Sequence, residues 1–219
     1  MRLELPDVPR WVEAHGIAAD PASWRRELDG GFAVGSASAR LIVAAGDVDA
    51  DDVVALAREL ADHTLLFAIE RADVHAALRA TRRVARAILH TLDEPLLDLE
   101  GAEPLPPEAS LAHLPAPLAA ELAAARHPIW SAWVAGEPVS FAYAPWRSAK
   151  WFDVSVDTLP GARQLGLATL VATAMIRDER AAGREPVWGA DEDNTASLRL
   201  ARKLCFSPVD EIWVAAAAS

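Results

Sequence analysis

One cysteine, Cys205, among 219 residues excludes an internal disulfide and any metal site built from several thiolates, and it fits a reducing interior. Basic residues are outnumbered, with 21 Lys and Arg against 32 Asp and Glu, for a net charge of −11. Such a chain repels the phosphates of nucleic acid and mildly attracts cationic small molecules, so no nucleic-acid partner is expected. No uninterrupted apolar run is long enough to span a bilayer, and Met1 is followed at once by charged residues rather than an apolar signal core. No membrane partner is expected either, and the chain reads as soluble and cytoplasmic. Disorder is excluded by composition, 52% hydrophobic and 24% charged, which suffices for one large domain or two small ones. The six histidines, His15, His63, His75, His90, His113 and His127, fall in no catalytic spacing and read as structural or exposed.

The stretch from Val156 to Phe206 carries the most information. A strand ending near Thr158 leads through Pro160 and Gly161 into Arg163-Gln164-Leu165-Gly166-Leu167-Ala168, after which Leu167, Leu170, Val171, Ala174 and Met175 recur at helical spacing. A helix N-terminus leaves N–H groups without partners and carries about half a positive charge, so it can hold a phosphate group without a metal. Gly166 puts no side chain in the way, Ala168 is nearly as small, and Arg163 can add a charge-assisted contact. The spacing suits a diphosphate lying across backbone amides. Downstream, "EPVWGA" reads as a short strand, Asn194 as the cap of a helix with Leu198, Leu200, Ala201 and Leu204 on its apolar side, and Glu211 to Ala215 as a last strand. Upstream, Ile129 to Ala135 and Val139 to Ala144 form a hairpin about a turn at Gly136-Glu137-Pro138.

In this order, "VDTLPGARQLGLAT…GREPVWGADEDNTASLRLARKLCF" resembles the GCN5-related N-acetyltransferases (GNAT), with their R/Q-x-x-G-x-G/A turn and a later N-x-x-S/A helix ending in a K-L-G-F-like sequence. The resemblance covers about Ile129 to Ala215, less than half the chain. It implies that Arg163, Gln164, Leu165, Gly166, Leu167, Ala168 and Thr169 surround the pyrophosphate of acetyl-coenzyme A, the cosubstrate, and that no metal is needed. Val156, Asp157 and Thr158 would pair with the pantetheine amides as an added strand does, with Asn194 and Ser197 beside the pantetheine arm. Two positions depart from the pattern. Ala201 stands where many members have a Tyr that protonates the leaving thiolate, and the chain's single tyrosine, Tyr143, lies on another strand. Cys205 replaces the usual Gly, a change expected to alter a helix C-cap rather than chemistry.

Acyl transfer to an amine must first remove a proton. An ammonium with a pKa near 10.4 is neutral in only about one molecule in 10³ to 10⁴ at pH 7, which adds roughly 4–5 kcal/mol to the barrier unless a base helps. The candidate base is Asp153, because "WFDVSVD" alternates and sets Asp153, Ser155 and Asp157 on one strand face. Asp191, Glu192 and Asp193 are rivals, although a run of acids before a capping Asn is ordinary helix-start electrostatics.

The N-terminal half is less specific. Two short strands in "GGFAVGSASARLIVAAGD", a helix after Asp49 with Val53, Leu56, Ala57 and Leu60 as its stripe, the apolar run "TLLFAIE" and a long helix from Ala72 to Leu92 make a βαβα-like unit. On that long helix Arg79, Arg82, Arg83 and Arg86 form a basic face, solvated or able to meet a coenzyme 3′-phosphate. Prolines crowd the segment from Glu94 to Pro128, which carries one helix, "APLAAELAAAR". Trp130, Trp133, Trp146, Trp151 and Trp188 fall on or near core strands, as core residues or as the wall of an acceptor cleft.

The expected fold is α/β with a mixed sheet, a GNAT-like core over residues 129–219, a Pro-rich linker with a helix over 101–128, and a smaller, degenerate GNAT-like α/β unit over 1–100. The expected function is transfer of an acetyl or short acyl group from acetyl-CoA to a small-molecule or peptide amine, by direct attack in a ternary complex. The alternative is a non-catalytic acyl-CoA-binding regulatory module. A protein N-terminus or aminoacyl-tRNA as acceptor is a third reading, the tRNA form opposed by the acidic charge. The sequence leaves monomer and homodimer equally open.

Overall fold

Short runs of small and β-branched residues build the first of two compact units, Met1–Leu89 with Gly189–Thr195 and Pro208–Ser219. The computed structural model describes residues 1, 3–96, 99–125 and 127–217. After helix α1 (Val12–Ala19), strands β1 (Trp24–Leu28), β2 (Gly31–Ser36) and β3 (Leu41–Gly46) form an antiparallel meander. Helix α2 (Ala50–Glu59) is capped by Asp49, whose carboxylate accepts from the Asp51 N–H at 2.8 Å. It crosses to β4 (Thr64–Phe67), which pairs parallel with β3. Val53, Leu56 and Ala57 of α2 pack with Ile42, Leu65 and Phe67 in one buried cluster.

The long helix expected from Ala72 to Leu92 is instead a helix, a bend and a strand: α3 (Ala72–Arg79) and β5 (Val84–Thr91). The Arg and Ala residues of this stretch favour helix locally, but the Arg82 side chain turns inward. It is 7% exposed and donates to the carbonyls of Ala57, Leu60 and His63, capping the end of α2. Val84, Ile88 and Thr91 then continue as a strand, as β-branched residues prefer. The proposed basic face therefore does not exist. Arg83 pairs with Asp191 and Asp193, and Arg86 pairs with Glu192 and Glu211. The same pairs engage all three rival bases of the acidic run.

The second unit comprises His90–Trp188 and Ala196–Ser207, and residues 101–128 lie inside it. Among the described residues, its Pro-rich start carries a short strand, β6 (Glu103–Pro104), and helix α4 (Ala116–Ala124). The helix in "APLAAELAAAR" ends at Ala124, and its Arg126 lies outside the described residues. Strands β7 (Trp130–Val134) and β8 (Glu137–Tyr143) form the expected hairpin. Its turn is tighter than expected, only Ala135 and Gly136, both at positive φ (52° and 86°), with Glu137 and Pro138 already in β8. Two successive positive φ values match the twist of the strands they join, and Gly136 takes one of them without strain.

The segment read as one strand, "WFDVSVD", breaks at Val154. Strand β9 (Trp151–Asp153) and strand β10 (Ser155–Thr158) belong to different sheets, so Asp153 does not share a continuous strand face with Ser155 and Asp157. Strand β10 closes the order β10-β8-β7-β6. Helix α5 (Leu167–Ala181) returns to β11 (Glu185–Asp191), which pairs parallel with β9. Val171, Ala172, Ala174, Met175 and Ile176 bury one side of α5, and its buried Glu179 is held by Arg147 and Arg184. Helix α6 (Thr195–Lys203) and strand β12 (Ser207–Ala215) complete the chain. Strand β12 lies in the first unit, antiparallel to β4, so that unit runs β1-β2-β3-β4-β12-β5.

The order of elements occurs twice along the sequence. β1, β2, β3, α2, β4, α3 and β5 repeat as β7, β8, the β9/β10 segment, α5, β11, α6 and β12, with a parallel pair joined by a helix in each. No helix among the described residues is long and apolar enough to cross a membrane.

Candidate functional site

The break at Val154 opens a wedge between two strands. Val154 N–H donates to Val187 C=O at 2.9 Å, and from Ser155 onward the chain pairs with β8 instead of β11. Strand β10 is thereby left at the end of its sheet. The register shows which groups it offers. Leu159 N–H bonds Val139 C=O at 2.9 Å, and hydrogen-bonded pairs alternate along an antiparallel ladder, so Ser155 and Asp157 turn their main-chain groups toward β8. Val156 and Thr158 turn theirs to the open edge, where an extended amide chain can add as a strand.

At the end of that edge lies the loop to α5. Arg163, Gln164, Leu165 and Gly166 are exposed. Gln164 and Gly166 have φ of 66° and 82°, a left-handed bend that presents successive N–H groups, and Gly166 sits at the N-cap of α5. The first α5 bond is Leu170 N–H to Gly166 C=O at 3.2 Å, so the N–H groups of Leu167, Ala168 and Thr169 precede the helical ladder. A Cβ built on Gly166 would meet nothing within 4 Å, so the space beside Gly166 itself is open. Arg163 Nε donates to Thr158 C=O at 3.3 Å and ties the cationic side chain to the strand end.

One residue at this site escaped sequence reasoning. Lys203, in the last turn of α6, donates to Thr169 Oγ1 at 2.9 Å and brings a second cation to the first turn of α5. Two cations beside the positive end of a helix are mutually unfavourable until an anion joins them. Only the position of Lys203 one turn after Leu200 signals it in sequence, and that fits any amphipathic helix.

Asp153 sits one residue before the wedge opens. Its backbone N–H donates to Trp146 C=O at 2.9 Å. Burial pushes its carboxyl up to about 7, and a hydrogen bond from the Val154 N–H opposes the rise. A carboxyl with that pKa is half ionised at neutral pH, which suits a general base.

The expected pantetheine contacts on α6 are partly engaged already. Ser197 Oγ accepts from Trp188 Nε1 at 2.9 Å, and Asn194 stands immediately before the first residue of α6. Ala201 is fully buried and brings no proton donor to the site. Cys205 takes the helix C-cap position that its place in the sequence implied. It has φ of 65°, and Phe206 N–H bonds Ala201 C=O at 3.0 Å, the six-residue closure that ends a helix on a left-handed residue. Because a side chain is strained there, Cys205→Gly is expected to raise stability by about 1 kcal/mol in denaturant titrations.

Five histidines bond to structural partners: His15 to Pro6 C=O, His63 to Asp62, His75 to Ile69 C=O, His90 to Trp188 C=O and His113 to Pro138 C=O. Among the described residues there is no group of three or more His, Cys, Asp or Glu that could hold a metal ion. Of the tryptophans expected on or near core strands, Trp188 is buried and stacks edge-on against Phe206, while Trp130, Trp133, Trp146 and Trp151 are partly exposed.

Residues 132–214 match the family model for GNAT acetyltransferase. No curated protein matches the chain at a significant level. Among solved structures, a GCN5-related N-acetyltransferase from Kribbella flavida is similar with a TM-score of 0.64 and 15% identity, over 96% of this chain and 95% of that one. A GNAT-family protein from Novosphingobium aromaticivorans has a TM-score of 0.62 and 20% identity, over 97% and 98%. A tandem GNAT protein from the clavulanic acid biosynthesis pathway has a TM-score of 0.50 and 14% identity, over 96% and 94%. At such identities the likeness is one of fold.

Proposed function

We propose that this chain, whose C-terminal part belongs to the GNAT superfamily over residues 132–214, transfers an acetyl or other short acyl group from coenzyme A thioester to an amine by direct attack in a ternary complex. The observation that carries the reading is the wedge at Val154. It combines a strand edge at Val156 and Thr158 that no further strand covers, with Arg163 on the Thr158 C=O, and a run of free helix N–H groups at one end, the shape and polarity of a pantetheine arm followed by a diphosphate. Arg163, Gln164, Leu165, Gly166, Leu167, Ala168 and Thr169 hold the diphosphate, mainly through main-chain N–H groups, with Lys203 beside them. Ser197 flanks the arm.

Asp153 takes the proton from the acceptor nitrogen. Raising a carboxyl from about 4 to about 7 makes it a stronger base by roughly 4 kcal/mol, close to the cost of deprotonating the ammonium. The reaction needs no metal. The acceptor is a small-molecule or peptide amine, drawn to a chain of net charge −11. Thiol release from acetyl-CoA measured across a panel of small and peptide amines tests the proposal. Tight coenzyme binding with no turnover on any amine would replace it with an acyl-CoA-binding regulatory role.

The repeated topology raises the question of a second coenzyme site. In the first unit the helix equivalent in order to α5 is α2, and its N-terminus carries Asp49, Asp51 and Asp52, with Asp49 already accepting the Asp51 N–H. Carboxylates there occupy one of the donors and repel a diphosphate. Titration calorimetry is expected to give one coenzyme A per chain, and a stoichiometry of two would contradict this account.

A further inference from the structure

The hydroxyl of Tyr143 lies between two carboxylates. It is 2.7 Å from Glu121 Oε2 on α4 and 3.2 Å from Asp157 Oδ2 on β10. Tyr143 is 5% exposed and packs with Phe141, Leu114 and Leu122, so its ring and hydroxyl are shielded, while Asp157 is half-buried and Glu121 reaches solvent. A phenol has one proton and serves one strong acceptor at a time. The shorter contact is the one it serves, toward Glu121. With both carboxyls ionised, the longer contact would set the half-buried Asp157 carboxylate against a buried phenol oxygen whose proton points elsewhere, an unfavourable arrangement. A second proton, on Asp157 and directed to the phenol oxygen, turns both contacts into hydrogen bonds.

Other observations point the same way. Burial raises the Asp157 carboxyl and the charge of Glu121 raises it further, against the opposing hydrogen bond to Tyr143. Burial likewise pushes the Tyr143 phenol well above its usual range, so the phenol keeps its own proton. The groups acting on Asp157 are Tyr143 from β8 and Glu121 from α4, and Ser155 of β10, opposite Tyr143 in register, bonds to the phenol as well. Asp157 lies between Val156 and Thr158, the two residues whose main chain faces the open edge. A proton stored there is one residue away from the strand edge proposed to carry the thioester.

We propose that Glu121, Tyr143 and Asp157 hold a shared proton beside this edge, and that Asp157 delivers it to the coenzyme A sulfur as the acyl group leaves. The delivery rests on the transferase reading above. The acceptor nitrogen forms a bond to the thioester carbonyl carbon and loses its surplus proton to the Asp153 carboxylate. The C–S bond then breaks with its electron pair on sulfur, and the Asp157 proton passes to that sulfur. Afterwards Asp153 releases a proton to water and Asp157 takes one up, so the site returns to its starting charge. Glu121 and Tyr143 are positioning residues, because they act on sulfur only through Asp157.

Infrared titration of the full chain tests the stored proton without any substrate. In an Asp153→Asn background, which removes the other raised carboxyl, one protonated-carboxyl C=O band is expected to titrate above the ordinary aspartate value of about 4. Asp157→Asn should abolish that band and Glu121→Gln should move its midpoint to lower pH. A missing band, or one that survives Asp157→Asn, overturns the proposal. With the fastest amine of the panel, Asp157→Asn should lower kcat by roughly 100-fold while the affinity for acetyl-CoA is unchanged. An unaltered kcat overturns the delivery. If the band behaves as expected but no amine turns over, the stored proton stands, and its delivery falls together with the transferase reading.

Discussion

Gly166→Glu is expected to weaken coenzyme A binding at least about 100-fold, on the order of 3 kcal/mol, while the protein still folds. Two effects combine. The new carboxylate would stand at the N-cap of α5, beside the N–H groups of Leu167, Ala168 and Thr169, and would compete for the donors that the diphosphate requires. It would also repel the diphosphate directly. The fold should tolerate the change, because a Cβ at this position meets nothing within 4 Å and the conformational cost comes from the φ of 82° alone, about 1 kcal/mol. Gly166→Ala separates the two terms. It should carry the same loss of stability and much less loss of binding. Calorimetry with coenzyme A and thermal melts of both variants make the comparison, and equal affinity of Gly166→Glu and the parent protein would remove the diphosphate from this loop.

Asp153→Asn is expected to lower kcat by about 10²- to 10³-fold while leaving coenzyme affinity nearly unchanged. A base must be ionised to act, so with burial holding Asp153 at about 7 the parent rate should rise with pH through neutrality and level off above it. The variant should lose that acidic limb. Stability should move in the opposite direction. The folded carboxyl keeps its proton to a higher pH than the unfolded one, so the native state binds more protons between about 4 and about 7 and loses stability as pH rises across that window. Asparagine has no charge to bury, and the variant should therefore be more stable than the parent at pH 8, by a few kcal/mol at most. A less active and more stable protein would be the signature of a carboxylate kept in place for chemistry. An unchanged rate at pH 7 would exclude Asp153 as the base.

Where sequence reasoning worked, the signals were short-range. The strand, loop and helix from Ser155 to Ala181, the cap at Asp49 and the hairpin of β7 and β8 follow from neighbours within a few residues of one another, through periodicity, capping chemistry and turn conformation. The Gly166 position is legible for the same reason, since its left-handed φ and the free donors behind it depend on a single turn.

The misreadings share the opposite cause. The neighbours of Arg82 favour a helix, yet carbonyls 19 to 25 residues earlier in the chain draw it inward and end that helix. The break at Val154 cannot be seen in "WFDVSVD", whose alternation is regular. It arises because Trp151–Asp153 pairs with Glu185–Val187 while Ser155–Thr158 pairs with Ser140–Tyr143.

By itself, then, the sequence determined the local elements, the acidic charge and the loop that resembles a diphosphate nest, because each depends on contiguous residues. Tertiary structure decided which strand edge stays open, the pKa of Asp153, the contact of Lys203 with Thr169, and the meeting of Glu121, Tyr143 and Asp157. Those features depend on burial and on the proximity of residues distant in sequence, and no window along the chain contains either.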